Sequence, residues 1–295
     1  MKLTLLGTGT PAPSKKRQSS GYLVQVGDET IVMDHGPGAH HRLIEGGFRS
    51  TDVTRVLFTH LHYDHCMDYA RLVLQRWDVG AGKVPDLKVY GPRPLKRMTD
   101  SLFGEGGFYE DDVLARTQHQ ASLDVFQARG GELPRKPPNP VVREVNPGDS
   151  IEGNGWRATV GESSHMQPFL RCYGYRIEGD SGSLCYAGDS GGVCDSVIAL
   201  ARKADILIHM MHLASGTEPS VQFRKSTGAH TDVAEVARRA EVGALVLTHF
   251  TPHIDTPGTR ERLIFEMSQI YRGPIIWGED LMTLSVPHVS ACGID

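Results

Sequence analysis

Thr59-His60-Leu61-His62-Tyr63-Asp64-His65 follows directly on the apolar run Arg55–Phe58. Side chains alternate between faces along an extended segment, so a continued strand would let His60, His62 and Asp64 converge. His65 would then enter the turn before a helical pattern that begins near Met67. Four ionisable or metal-ligating side chains crowded at one strand end would be costly to bury unpaired, which argues against a core accident. No cysteine stands at ligand spacing, so the donors are imidazole and carboxylate. That set suits Zn²⁺, with Mn²⁺ or Fe as alternatives.

Outward from this run, short apolar segments read as strands at Leu3–Leu6, Tyr22–Val26, Thr30–Met33, Val56–Thr59 and Leu87–Tyr90. Further strands are predicted at Ala158–Gly161, Tyr173–Ile177, Leu184–Ala187, Ile206–Ile208, Ala244–Thr248, Pro274–Trp277 and Leu281–Val286. Helical spacing predicts helices over Met67–Trp77, Pro92–Leu102, Asp111–Ala128, Asp195–Lys203, Asp232–Ala240 and Thr259–Tyr271. In one of these, Val233, Val236, Ala237 and Ala240 stand at i, i+3, i+4, i+7. Strands interleaved with amphipathic helices make a layered α/β fold.

The chain has 295 residues, with 31 Lys+Arg against 35 Asp+Glu, for a net charge of −4. That balance excludes a polycation built to coat nucleic acid. A hydrophobic fraction of 39% describes a globule with ample core rather than a disordered chain. The five cysteines are scattered and odd in number, so neither a disulfide framework nor a cysteine zinc ribbon is expected. The opening run Met1–Gly7 is too short for a signal peptide, and no stretch reaches the roughly 18 apolar residues of a membrane span. A cytoplasmic location and no membrane partner are the expectations; a homodimer stays open.

One domain is expected over residues 1–295, interrupted by a surface insertion or lid at about 104–140. Gly104-Glu105-Gly106-Gly107 opens that segment and Gly130 to Pro140 closes it around a single helical pattern. The basic clusters Lys15-Lys16-Arg17 and Arg135-Lys136 read as solvated faces.

The pattern H-x-H-x-D-H is complete at His60, His62, Asp64 and His65. Beside it stand Leu6-Gly7-Thr8-Gly9-Thr10-Pro11, Asp34 followed by Gly36, Tyr186-Ala187-Gly188-Asp189-Ser190, and Leu247-Thr248-His249-Phe250. On these residues the chain resembles the metallo-β-lactamase superfamily. The resemblance implies an αββα four-layer sandwich and two divalent ions, with Zn²⁺ the first expectation. It implies His60, His62 and His165 on one ion, Asp64, His65 and His249 on the other, and Asp189 bridging. It implies Asp64 as a catalytic residue as well, and a hydroxide shared by two cations would be ionised at neutral pH. Diiron redox members of the superfamily carry glutamate where this chain has His62, so a hydrolytic site is implied.

Within the superfamily the chain resembles the ribonuclease Z branch, on Gly7–Pro11, Ala201–His209, His230-Thr231-Asp232 and Leu247–Phe250 followed by Thr251-Pro252. The histidine matching His230 lies, in that branch, near the attacking water or leaving group, so His230 is the candidate general acid. The alternative for His230 is a helix cap or a residue that supports the metal ligands from behind. His209 and His212 are candidates for substrate contact, support of the ligands, or plain core. Two departures stand out. Met210 occupies the position of a glutamate that orients the acid, and only 24 positions separate His165 from Asp189, where the tRNA-gripping arm would lie. The expectation is therefore a dinuclear metal-dependent hydrolase of a small ester, lactone, sulfate ester or phosphodiester, with a small-molecule partner rather than tRNA. The alternatives are ribonuclease Z-type cleavage of tRNA 3′ ends and, in another class, a non-catalytic metal-binding or regulatory protein.

Overall fold

The computed structural model describes residues 1–286. Cys292, one of the five cysteines, lies outside the described residues. The strands are β1 (Lys2–Gly7), β2 (Gly21–Val26), β3 (Glu29–His35), β4 (Arg55–Leu57), β5 (Lys88–Gly91), β6 (Val141–Glu144) and β7 (Ser150–Gly153). They continue as β8 (Trp156–Glu162), β9 (Tyr173–Gly179), β10 (Gly182–Tyr186), β11 (Ile206–Met210), β12 (Ala244–Thr248), β13 (Ile275–Trp277) and β14 (Thr283–Ser285). Among the described residues they form two seven-stranded sheets, ordered β14-β1-β2-β3-β4-β5-β6 and β13-β12-β11-β10-β9-β8-β7.

Each sheet is antiparallel at one end and parallel at the other. Pairs β1–β2 and β2–β3 are antiparallel, whereas β3–β4, β4–β5 and β5–β6 run parallel. The second sheet repeats the scheme, antiparallel from β7 to β10 and parallel from β10 to β13. Parallel strands need crossovers, and helices supply them on the outer faces.

Alternation along the strands explains the layers. Tyr22, Val24, Ile31 and Met33 point between the sheets and meet Tyr175, Ile177, Leu184 and Ile208. Leu23 and Val32 point the other way, onto Leu43, Leu72 and Val73 of the helices Ala39–Glu45 and Tyr69–Gly80. Leu207, Leu245 and Leu247 face Val197, Val233, Val236 and Leu263 from three helices on the opposite surface. The result is the αββα sandwich. Each such buried side chain contributes roughly 1.5–3 kcal/mol.

Several expectations change. The strand after Arg55 stops at Leu57, and Tyr63–Cys66 forms a short helical turn instead of a continued extended segment. The helix expected over Asp111–Ala128 is two helices, Glu110–Gln118 and Gln120–Ala128, because His119 is extended at ψ 128° and caps the second. Strands β6 and β7 lacked enough apolar alternation to be read. Neither Arg17 nor Arg135 is solvated. The Arg17 side chain is 2% exposed and pairs with Asp255 and Glu279, while Arg135 pairs with Asp78 and lies over the rings of Trp77 and Phe126. Charge alone cannot distinguish a solvated cation from one that meets a distant carboxylate.

Candidate metal centre

The loops beyond the carboxyl ends of the parallel strands, and the loop after β8, carry the chemistry. His60, His62, Asp64 and His65 follow β4 of the first sheet; His165 follows β8, Asp189 follows β10 and His249 follows β12 of the second. The helical turn at Tyr63–Cys66 changes the direction of the motif, so Asp64 does not share a face with His60 and His62 as alternation suggested. Instead the structure gathers His60, His62, His165 and Asp189 in one group and Asp64, His65 and His249 in another. Within each group the donor atoms lie within 4.8 Å of one another.

The contacts inside the groups are those of converging lone pairs. His60 Nε2 and His62 Nδ1 are 3.0 Å apart, and His165 Nε2 lies 3.3 Å from the same His62 Nδ1. His249 Nε2 lies 3.3 Å from Asp64 Oδ2 and 3.3 Å from Asp189 Oδ2. Asp189 Oδ2 also lies 3.6 Å from His165 Nε2 and 3.9 Å from His60 Nε2, so it neighbours both groups. His65 Nε2 and Asp189 Oδ1 are buried without a hydrogen-bond partner. Orphaned buried polar atoms are expensive, and His65 Nε2 lies 3.4 Å from Asp189 Oδ2 of the other group. Imidazole and carboxylate donors in this arrangement fit divalent cations.

The protonation states suit such ions. Burial, reinforced by the charge of His65, holds His60 well below the usual histidine value. Burial and then His165 lower His62. Burial raises Asp64 and Asp189, but His249 and His65 outweigh it and hold both carboxyls below the ordinary range. Two carboxylates therefore stay ionised beside two neutral imidazoles. Burial also lowers His65, yet Asp189 and Asp34 outweigh it and hold it well above the usual value, so positive charge is favoured at this spot.

A second set of groups orients the ring nitrogens. His65 Nδ1 donates to Asp34 Oδ2, Thr59 donates to Asp34 through both its amide and its hydroxyl, and Tyr186 Oη donates to Asp34 Oδ2. His165 Nδ1 donates to Ser226 O. Such partners fix tautomer and ring orientation. Asp34 and His249 both have left-handed backbone, at φ 54° and 61°. Strain of this kind is held where the surroundings over-determine it. Gly36 is required nearby, since a Cβ there would come within 1.9 Å of Asp64 O. Asp34 was legible only as an acidic residue ahead of a helix; Thr59 and Tyr186 stood in the quoted motifs without an assigned role, and nothing in the sequence marked Ser226.

Neither ring nitrogen of His230 is hydrogen-bonded to any of the seven residues. Its ring is 2% exposed, Nδ1 accepts from the Ser215 amide at 2.9 Å, and Nε2 meets Glu266 Oε2 at 2.7 Å. With both nitrogens engaged away from the two groups, it anchors the 213–217 segment to the helix Thr259–Ser268. His209 is fully buried, with Nδ1 on Met210 O and no hydrogen bond to any of the seven residues. Met210 lends its sulfur to the Ser190 amide at 3.1 Å, so this position relays no proton. His212 stays beside the centre, its Nδ1 3.4 Å from His249 Nδ1.

Residues 29–250 match the family described as Beta-lactamase superfamily domain. Ribonuclease Z of Mycobacterium sp. (strain KMS) is 30% identical over 297 aligned positions, covering 99% of this chain and 98% of the relative. Ribonuclease Z of Mycobacterium bovis (strain BCG / Pasteur 1173P2) is also 30% identical, covering 97% and 98%. The metallo-β-lactamase fold protein YhfI from Bacillus subtilis superposes with a TM-score of 0.71 at 19% identity, covering 96% and 98%. Human tRNase Z, short form, superposes with a TM-score of 0.68 at 21% identity, covering 97% and 100%. Sequence, fold and the two groups of donors agree, and this chain belongs to the metallo-β-lactamase superfamily, as a metal-dependent hydrolase of its ribonuclease Z-like branch.

Proposed function

We propose that the protein hydrolyses a phosphodiester bond at a dinuclear centre, with Zn²⁺ as the resident ion. The observation that carries this reading is Asp189 Oδ2, within 4 Å of histidine nitrogens from both groups. One carboxylate between two sets of donors suits two cations close together. His60, His62 and His165 would hold one ion, Asp64, His65 and His249 the other, with Asp189 between them. Two such cations would supply an ionised water as nucleophile and neutralise the charge that develops on the phosphoryl oxygens. The chain's own residues keep Asp64 and Asp189 ionised and orient the ring nitrogens through Asp34, Thr59 and Ser226. Of the four bond classes expected, the phosphodiester agrees best with relatives named for cleaving RNA.

A second reading is cleavage of precursor tRNA at its 3′ end. It is favoured by the 30% identity to ribonuclease Z relatives along 99% of this chain. The expectation against tRNA rested on Met210 in place of a glutamate and on a missing arm, and the second of these does not separate this chain from those relatives. An alignment of 297 positions that covers 99% of 295 residues leaves room for only a few relative residues without a counterpart here. Metal-loaded protein should be assayed on bis(p-nitrophenyl) phosphate, an aryl sulfate, an aryl ester and a precursor tRNA. Phosphodiester turnover alone supports the first reading. Site-specific 3′ cleavage of tRNA at about 1 s⁻¹, within the ordinary enzyme range, supports the second. Turnover of only the sulfate or the ester overturns both.

A further inference from the structure

We propose that Arg224 is a positioning residue for His165: it clamps the helix Val221–Ser226, whose last carbonyl sets the direction of the His165 ring. The inference rests on the dinuclear reading above, in which His165 holds one of the two ions. His165 lies in the loop after β8 rather than on a strand, so its ring needs a fixed partner to keep one direction. That partner is Ser226 O, which accepts from Nδ1 at 2.6 Å. With Nδ1 engaged there, Nε2 lies 3.3 Å from His62 Nδ1 and 3.6 Å from Asp189 Oδ2. The loop leans on the same helix end a second time, as Ser164 Oγ donates to Lys225 O at 3.2 Å. Both acceptors are carbonyls of the last turn, which have no partner inside a helix.

The helix that offers them is too short to hold itself. It has six residues, against the roughly 12–15 that an isolated helix needs in water. Val221, Gln222 and Lys225 are exposed, so little apolar burial fixes it. Its place is set by side chains. Ser220 Oγ caps the N-terminus by accepting from the Phe223 amide at 3.1 Å. Arg224 supplies the lateral anchor: Nε and Nη2 donate to the two carboxylate oxygens of Asp232 at 2.8 and 2.7 Å, and Nη1 donates to Glu218 Oε1 at 2.8 Å. Asp232 stands in the first turn of His230–Ala240, a helix whose Val233, Val236 and Ala237 are fully buried in the core. A planar fork against both oxygens of one carboxylate fixes orientation as well as distance. Arg224 therefore bolts a marginal helix to a rigid one, and Ser226 O passes that rigidity on to His165. The Arg224 side chain is 35% exposed, so the pair adds little to the stability of the whole fold. Its loss is felt locally, by the short helix and by the ring that leans on it.

Metal-free protein titrated with Zn²⁺ alone against a chromophoric chelator should show two binding steps, and His165→Ala identifies the step that belongs to His165. Arg224→Met should weaken that step about 10-fold, the lower end of the usual loss for a group that orients a ligand, and leave the other step unchanged. Asp232→Asn, the milder variant, should weaken the same step. Arg224→Lys, which keeps the charge but not the fork, should recover only part of the loss. In a His165→Ala background Arg224→Met should change neither step further, because the clamp acts only through that ring. A merely structural role would instead weaken both steps and add to the effect of His165→Ala. That result, or unchanged Zn²⁺ affinity in both Arg224→Met and Asp232→Asn, would overturn the proposal. Wild-type protein that takes up a single ion would overturn the dinuclear reading. The clamp then stands if His165→Ala and Arg224→Met weaken that ion without adding, and falls if they do not.

Discussion

Asp34 Oδ2 accepts hydrogen bonds from His65 Nδ1 at 2.8 Å, from Thr59 Oγ1 at 2.8 Å and from Tyr186 Oη at 2.9 Å. One carboxylate thus ties β3, the histidine motif and β10 at a single atom. Asp34→Asn removes the negative charge that favours His65 Nδ1–H and sets a competing amide donor near it. Metal affinity should fall about 10–100-fold, the usual cost of losing such a partner. Competition against a chromophoric chelator measures it; an unchanged Kd would show that ring packing alone orients His65.

Asp189→Ala should lower metal content and activity together, because its carboxylate neighbours both groups of donors. Metal analysis of the purified variant checks this, and two retained equivalents would remove Asp189 from the centre.

His230→Ala should keep both ions. Its effect on rate should be the same for a nitrophenyl and an alkyl phosphodiester, since a ring held by Ser215 and Glu266 supplies no proton to a leaving group. A loss confined to the alkyl substrate would restore His230 as an acid.

Arg17 is the buried cation of a clasp between the β1–β2 connection and the chain beyond His249. It donates to Thr8 Oγ1, to Gly278 O and to Asp255, and its guanidinium lies 4.6 Å over the Phe250 ring. Arg17→Met should cost roughly 3–5 kcal/mol, as breaking a buried pair leaves its partners uncompensated. A Tm lower by about 10 °C is the corresponding reading in calorimetry.

Asp78 draws Arg116, Arg129 and Arg135 of the 104–140 segment onto the helix Tyr69–Gly80. Burial raises its pKa, but Arg135 and Arg129 outweigh burial and hold it below the ordinary value. A depressed carboxyl stabilises above its unfolded pKa of about 3.9 and loses that contribution as pH falls through the folded value. Asp78→Asn should therefore speed proteolysis within 104–140 at pH 7, at a cost of roughly 1 kcal/mol because the group is partly wet. Equal cleavage rates of wild type and variant at pH 7 would show that the stacking of Arg135 holds the segment alone.

The layered fold was legible because Tyr22, Val24, Leu207 and Leu245 sit in runs whose periodicity states which face is buried. The seven residues that the structure gathers stood out in the sequence because histidine and aspartate were clustered or sat in short marked turns. What stayed hidden depends on partners far apart in the chain. Arg17 finds Asp255 and Glu279, His230 finds Glu266, and Arg135 finds Asp78, pairings that no local pattern encodes. The direction of Asp64 was hidden for another reason: one helical turn and one continued strand differ by about 80° per residue in side-chain direction, and the sequence His62-Tyr63-Asp64 suits both.

The donors come from loops of both sheets, four from beyond β4 and three from beyond β8, β10 and β12. A pair of ions seated among them would act as a cross-link between the two halves of the sandwich. Pulling the sheets apart would then require releasing cation and chain together, so chelation should hasten unfolding as well as stop catalysis. Any ion that binds only the folded chain adds stability that grows with the logarithm of its free concentration. Metal supply would thereby govern how long each molecule lasts, beyond whether it turns over.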